Sequence, residues 1–155
     1  MSRQIDNDTT VIPVKLNVLI IDDSGFSRRM LRQILENGGY EVDEATGGFE
    51  ALERYSLKRA DVVLLDIGLP MMDGYQVARR LREVAETRAS CLIALTGYGQ
   101  PADRERARVA GFDHHLTKPA DPDALLALVD AWIESSGARR VSARAAGAAV
   151  GNAVD

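Results

Sequence analysis

The sequence predicts an α/β domain, a parallel sheet of five strands with helices on both faces. Three observations predict it. Short aliphatic runs, KLNVLII, DVVLLD and SCLIAL, have the pattern of strands buried on both sides. Between them lie longer segments whose apolar residues return at helical spacing. The two kinds of segment alternate throughout, which supplies the crossovers a parallel sheet needs.

The first strand is read over residues 15–21. The following SGFSRRMLRQILENGG brings back Phe26, Met30 and Ile34 every fourth residue, with Leu31 and Leu35 alongside. This is an amphipathic helix stopped by Gly38 and Gly39. Residues 40–45 (YEVDEA) alternate apolar and acidic, as a strand near a sheet edge does. Residues 47–59 carry Phe49, Leu52 and Tyr55 at helical spacing, and residues 61–66 form the next apolar strand. The turn IGLPMMDG is punctuated by Pro70 and Gly74. Asp73 suits the N-cap of a helix with Val77, Ala78, Leu81, Val84 and Ala85 on one face. Residues 90–95 are a buried strand ending at Thr96. Pro101–Ala110 is an Arg-rich helix, and residues 112–116 are the last strand, followed by Thr117, Lys118 and Pro119. Residues 121–135 close the domain as a helix with Leu125, Leu128, Val129 and Trp132 facing inward.

Around this domain, residues 15–136, the sequence predicts a flexible polar leader (1–14) and a disordered Ala/Gly/Arg-rich tail (137–155). Arg139, Arg140 and Arg144 could make the tail a short basic docking segment. The 155 residues suffice for one core, and 46% hydrophobic with 27% charged residues is an ordinary globular balance. A net charge of -4 offers no basic face for nucleic acid. Cys91, the single cysteine, cannot form an internal disulfide and reads as a core residue. The leader has no signal-peptide core, and no apolar run nears the ~18 residues of a membrane span. The expectation is a cytoplasmic protein with neither membrane nor nucleic-acid partners.

In an open parallel sheet, sites form outside the carboxyl ends of the strands, where strand order reverses. Those ends carry Asp22 and Asp23 after the first strand, Asp66 after the third, Thr96 after the fourth and Lys118 after the fifth. Unit charges ~4 Å apart repel by roughly 4 kcal/mol at an effective dielectric of about 20, and one lysine does not offset three carboxylates. A hard divalent cation does, and carboxylates without His or Cys favour Mg²⁺. The set suits phosphoryl transfer onto a carboxylate. Asp66 attacks, Mg²⁺ and Lys118 balance charge on the phosphoryl oxygens, and Thr96 donates a hydrogen bond. The plainer alternative is that each Asp starts a turn or caps a helix, Asp23 capping the first.

With VLIIDDS, LLDIGLPMMDG, ALTGYG and HLTKP in this order, residues 15 to 135 resemble a response-regulator receiver domain of two-component phosphorelay signalling, similar to chemotaxis regulators. The resemblance implies a flavodoxin-like (βα)5 fold with strand order 2-1-3-4-5. It implies Asp66 as phosphoacceptor, carrying 4-aspartylphosphate, and Thr96 and Lys118 as phosphoryl ligands. It also implies Mg²⁺ held by Asp23, Asp66 and the Gly68 carbonyl, with Asp22 acting through water, and a cis bond between Lys118 and Pro119. The phosphoryl group comes from a histidine kinase or histidine phosphotransfer protein. The output is an unknown downstream protein, docked through the fourth helix, fifth strand and fifth helix. The domain is then a switch rather than an enzyme, promoting its own phosphorylation and slow dephosphorylation.

The sequence departs from the family at several positions. His115 stands where the switch aromatic usually does, either as a partly exposed strand residue or as a smaller polar rotor following Thr96. In the second case docking becomes pH-sensitive, and His115→Tyr removes the effect. Gly68 leaves the phosphoryl group unshielded while Tyr98 is bulky, so the lifetime of the phosphorylated state does not follow. Met71 and Met72 read as packing in the turn, and Arg104, Arg106 and Arg108 as a solvated helix face that could join the docking surface. Three other readings compete. A phosphohydrolase of the haloacid-dehalogenase kind needs D-x-D at the first strand, where this chain has DDS. A flavin site lacks its Ser/Thr/Gly-rich phosphate loop. A phosphorylation-independent binding module on the same scaffold would have lost an acid or the lysine. The starting Met and polar leader favour a stand-alone receiver over a receiver segment of a hybrid kinase.

Overall fold

The computed structural model describes residues 16–84, 90–97 and 101–136. Along the chain run β1 (Asn17–Ile21), α1 (Gly25–Asn37), β2 (Glu41–Ala45), α2 (Gly48–Leu57), β3 (Val62–Asp66), α3 (Gly74–Arg82), β4 (Cys91–Thr96), α4 (Pro101–Ala110), β5 (His114–Thr117) and α5 (Pro122–Ser136). The proposed leader and tail, with Arg139, Arg140 and Arg144, lie outside the described residues, as do Lys15, Ala85 and Tyr98. No helix among the described residues is long and apolar enough to cross a membrane.

The strands are all parallel and lie in the order β2-β1-β3-β4-β5. This is the expected doubly wound sheet. β1 is the strand at which the chain reverses direction across the sheet, with β2 on one side and β3 on the other. β2 and β5 lie at the two edges, and both are more exposed than the three strands between them.

Period-2 alternation splits the core into two layers. Leu19, Ile21, Val63, Leu65, Leu92 and Ala94 pack with α2, α3 and α4 on one face. Val18, Ile20, Val62, Leu64, Cys91, Ile93 and Leu95 pack with α1 and α5 on the other. Burial pushes the Cys91 thiol up to about 12, so it stays a neutral core residue.

The structure corrects several helix faces. Phe26 (67% exposed) and Met30 point to solvent, and α1 anchors through Leu31 and Leu35 with Ile34 partly buried. The two rows sit one residue apart, about 100° round the helix, so spacing alone selects neither. Phe49 is likewise exposed, and α2 buries Ala51 and Tyr55. Val84 lies beyond Arg82, the last residue of α3, and is exposed. Leu128 and Trp132 are only partly buried, beside Leu125, Val129 and Ile133. Arg104, Arg106 and Arg108 do not form one face: Arg106 lies 4.1 Å over the Tyr75 ring, and Arg108 pairs with Glu105. In the turn, Met72 is buried as packing requires, whereas Met71 is 92% exposed with a left-handed φ of 68°.

Candidate functional site

Strand register brings the site together. Ile21 pairs with Leu65, so Asp22 follows β1 beside Asp66, the last residue of β3. Asp66 pairs with Leu95, one residue before Thr96, and Thr96 pairs with Thr117, one residue before Lys118. The Lys118 N–H donates to the Thr96 carbonyl at 2.7 Å, and the Lys118–Pro119 peptide is cis, as the resemblance implied. The carboxyl ends of four strands thus deliver five polar side chains to one crevice.

Asp22 is fully buried. Its Oδ1 accepts from the Ser24 N–H at 2.9 Å, and its Oδ2 from the Ser27 hydroxyl at 2.6 Å and the Lys118 ammonium at 2.9 Å. Burial pushes the carboxyl up, but hydrogen bonds from Ser27, Lys118 and Ser24, with the lysine's charge, hold it below its ordinary value. Asp66 is only partly covered. Its Oδ1 accepts from the Gly68 N–H at 3.0 Å, and its Oδ2 lies 3.3 Å from Lys118 Nζ. Burial pushes Asp66 up and the charge of Asp22 adds to this; the Gly68 N–H and Lys118 oppose without cancelling it. Two neighbouring acids are driven in opposite directions. Lys118 itself is held above the ordinary lysine value: burial works against the ammonium, but its contacts with Asp22 and Asp66 outweigh it.

Asp23 is exposed, and its carboxylate, with those of Asp22 and Asp66, offers oxygens that all lie within 4.8 Å of one another. It does not cap α1. That role falls to Ser24, whose hydroxyl accepts from the Ser27 N–H at 3.2 Å. The oxygen-only donor set fits a hard cation such as Mg²⁺. Since the oxygens of Asp22 already serve three donors, Asp23 and Asp66 have the most acceptor capacity to spare. A Cβ at Gly68 would lie 3.7 Å from Asp66 Oδ1, an ordinary van der Waals contact, so the position borders the carboxylate without crowding it.

Thr96 is buried, and its Oγ1 has no hydrogen-bond partner among the described residues. A buried hydroxyl without a partner is unfavourable, and an anionic oxygen arriving in the crevice would satisfy it. His115 is half-buried on β5 opposite Ala94. It lines a shallow cavity with His114, Arg104, Arg108, Phe112 and Asp113.

Reading strand ends missed Ser27 and Arg28. Arg28 donates to the Asp22 carbonyl at 2.8 Å and pairs with Glu44 at 2.9 Å. Their signal lay in the helix that follows Asp23, whose first turn must come back over the strand end.

The family described as the response regulator receiver domain matches residues 18–130. The sensor protein EvgS of Escherichia coli (strain K12) is 37% identical over 114 residues, covering 74% of this chain and 9% of EvgS. The chain therefore spans only a small part of that relative. Chemotaxis protein CheY4 of Vibrio cholerae superposes with a TM-score of 0.73 at 30% identity, over 76% of this chain and 98% of CheY4. The receiver domain of sensor histidine kinase PA1611 from Pseudomonas aeruginosa, solved with magnesium coordinated in its active site cleft, gives 0.72 at 29% identity, over 78% of this chain and 99% of that one.

Proposed function

The chain belongs to the response regulator receiver family, and from that premise we propose that it takes a phosphoryl group onto Asp66 from a histidine kinase or histidine phosphotransfer protein. The observation that carries this reading is the arrangement of Lys118, 2.9 Å from Asp22 and 3.3 Å from Asp66, inside a cluster of three carboxylates. The acids alone would repel the oxygens of an incoming phosphoryl group, whereas Lys118 and a cation held by the acids would attract them.

In the transfer, a carboxylate oxygen of Asp66 attacks phosphorus as the P–N bond to the donor imidazole breaks. The bonding pair leaves with the imidazole, and Asp66 becomes an acyl phosphate. Lys118 turns from the carboxylates to a phosphoryl oxygen. Thr96 donates its free hydroxyl to another. Asp23, Asp66 and the Gly68 carbonyl, with Asp22 through water, would hold Mg²⁺, which would supply the remaining positive charge. Asp22 keeps the Ser24 N–H and the Ser27 hydroxyl as donors once the ammonium has turned away.

Receiver domains act as signalling switches and interact with histidine kinases. Here Thr96 moves toward the new charge and His115 turns into the space it leaves, biasing an existing equilibrium at the face of α4, β5 and α5. The docked target is a protein. The kinship with EvgS favours a second reading, in which this chain is the receiver segment of a longer kinase.

Mass spectrometry after incubation with acetyl phosphate and Mg²⁺ tests the proposal. Wild type acquires a labile phosphate and Asp66→Ala does not. No adduct on wild type would leave a binding module that works without phosphorylation.

A further inference from the structure

Two donors converge on a single oxygen of a buried acid. Asp22 Oδ2 accepts from Ser27 Oγ at 2.6 Å and from Lys118 Nζ at 2.9 Å. They differ in what else they serve. Lys118 stands on a long flexible stem and lies 3.3 Å from Asp66 as well. Ser27 sits in the first turn of α1, with its own N–H on the Ser24 hydroxyl, and among the described residues its side chain donates to Asp22 alone. One donor can leave and the other is fixed.

We propose that Ser27 is a positioning residue that releases Lys118 for the phosphoryl group, by keeping Asp22 Oδ2 satisfied after the ammonium has gone. This rests on the reading of Asp66 as phosphoacceptor. The physical need is plain. Asp22 is fully buried and cannot turn to solvent. A buried carboxylate oxygen stripped of its donor bears the full cost of desolvation. Without the hydroxyl, Lys118 must either stay with Asp22 or leave that oxygen bare, and the binding of any phosphoryl oxygen is weakened by the difference. With it, the lysine is exchangeable. Ser24 cannot substitute, because its N–H is committed to the other oxygen, Oδ1.

The test compares wild type, Ser27→Ala, Ser27→Thr and Ser27→Val with two probes. These are Mg²⁺ alone, by calorimetry, and beryllofluoride at saturating Mg²⁺, by fluorine NMR. Hydrogen bonds to charged groups set the scale, so Ser27→Ala should weaken beryllofluoride about tenfold while moving the Mg²⁺ constant less than about twofold. Ser27→Thr restores beryllofluoride binding. The near-isosteric Thr/Val pair isolates the hydroxyl if the alanine variant fails to fold. Unchanged beryllofluoride binding in Ser27→Ala or Ser27→Val overturns the proposal. So does a parallel loss of Mg²⁺ and beryllofluoride, which would mean that Ser27 merely holds Asp22 in place. Failure of the wild type to bind beryllofluoride would instead sink the phosphoacceptor reading, and this inference with it.

Discussion

At the scale of the residue, Asp22 and Asp66 are neighbours with opposite acid–base behaviour, and pH separates them. Asp66 is pushed above the ordinary aspartate value of 3.8, first by burial and then by the charge of Asp22. The folded metal-free protein therefore binds this proton more tightly than the unfolded chain. Its stability gains from Asp66 as pH falls through the raised value, and the ionised group is a burden at neutral pH. Asp22 is held below 3.8, because hydrogen bonds from Ser27, Lys118 and Ser24 outweigh its burial. Its contribution is present above 3.8 and is lost as pH falls through the depressed value. Denaturation of the metal-free protein should thus show a gain on mild acidification, then a loss at lower pH. Asp66→Asn should abolish the gain and stabilise the protein at pH 7, by on the order of 1 kcal/mol for one relieved like-charge contact. Urea titrations across pH measure both. An Asp66→Asn protein less stable than wild type at pH 7 would show that the pairing with Lys118 outweighs the repulsion.

At the scale of the element, the site was legible wherever it rested on strand ends. Asp22, Asp23, Asp66 and Thr96 each close an apolar run, Lys118 follows the last strand, and parallel topology leaves residues at strand ends only one edge to occupy. Helix orientation was not legible in the same way. The Phe26–Met30 row and the Leu31–Leu35 row of α1 are equally apolar on paper, and docking against the sheet selects the second. The last strand shows another limit. Phe112 reads as strand, but its N–H bonds to the Ala107 carbonyl and Gly111 takes a φ of 112°, so it closes α4 before β5 begins at His114. The turn leaving β3 was readable in its chemistry: Asp73 and Gln76 form the capping box that starts α3. What it hid was how closely the start of α3 approaches the site. A Cβ at Gly74 would lie 2.6 Å from Ile67 Cα and 2.7 Å from the Asp66 carbonyl oxygen. Neither backbone atom can yield without moving Asp66. Gly74→Ala should lose about 1–3 kcal/mol of stability by overpacking and weaken Mg²⁺ binding as well. Urea denaturation and Mg²⁺ calorimetry on one sample check both, and a stable variant with intact binding would show that the turn relaxes freely.

At the scale of the whole molecule, the sheet order explains why charge collects where it does. β1 pairs with β3, and the helices that follow these two strands, α1 and α3, lie on opposite faces and leave a crevice above the β1 and β3 ends. Two apolar layers hold the sheet rigid beneath it, and three carboxylates whose oxygens come within 4.8 Å are its main electrostatic burden. With one nearby ammonium, that cluster stays net negative in the metal-free protein. Folding and cation binding are therefore linked: an ion that binds the folded crevice and not the unfolded chain raises stability by mass action. Mg²⁺ at a hundred times its dissociation constant should add about 2.7 kcal/mol to the unfolding free energy. The same ionic strength supplied as NaCl should add far less, because diffuse screening does not replace coordination of buried and half-buried oxygens. Asp23→Asn and Asp66→Asn should each reduce the Mg²⁺ increment, and chelation should reverse it in wild type. Thermal melts with Mg²⁺, with matched NaCl and with a chelator decide the point, and equal shifts from the two salts would mean that the acids face a diffuse ion atmosphere and not a bound cation.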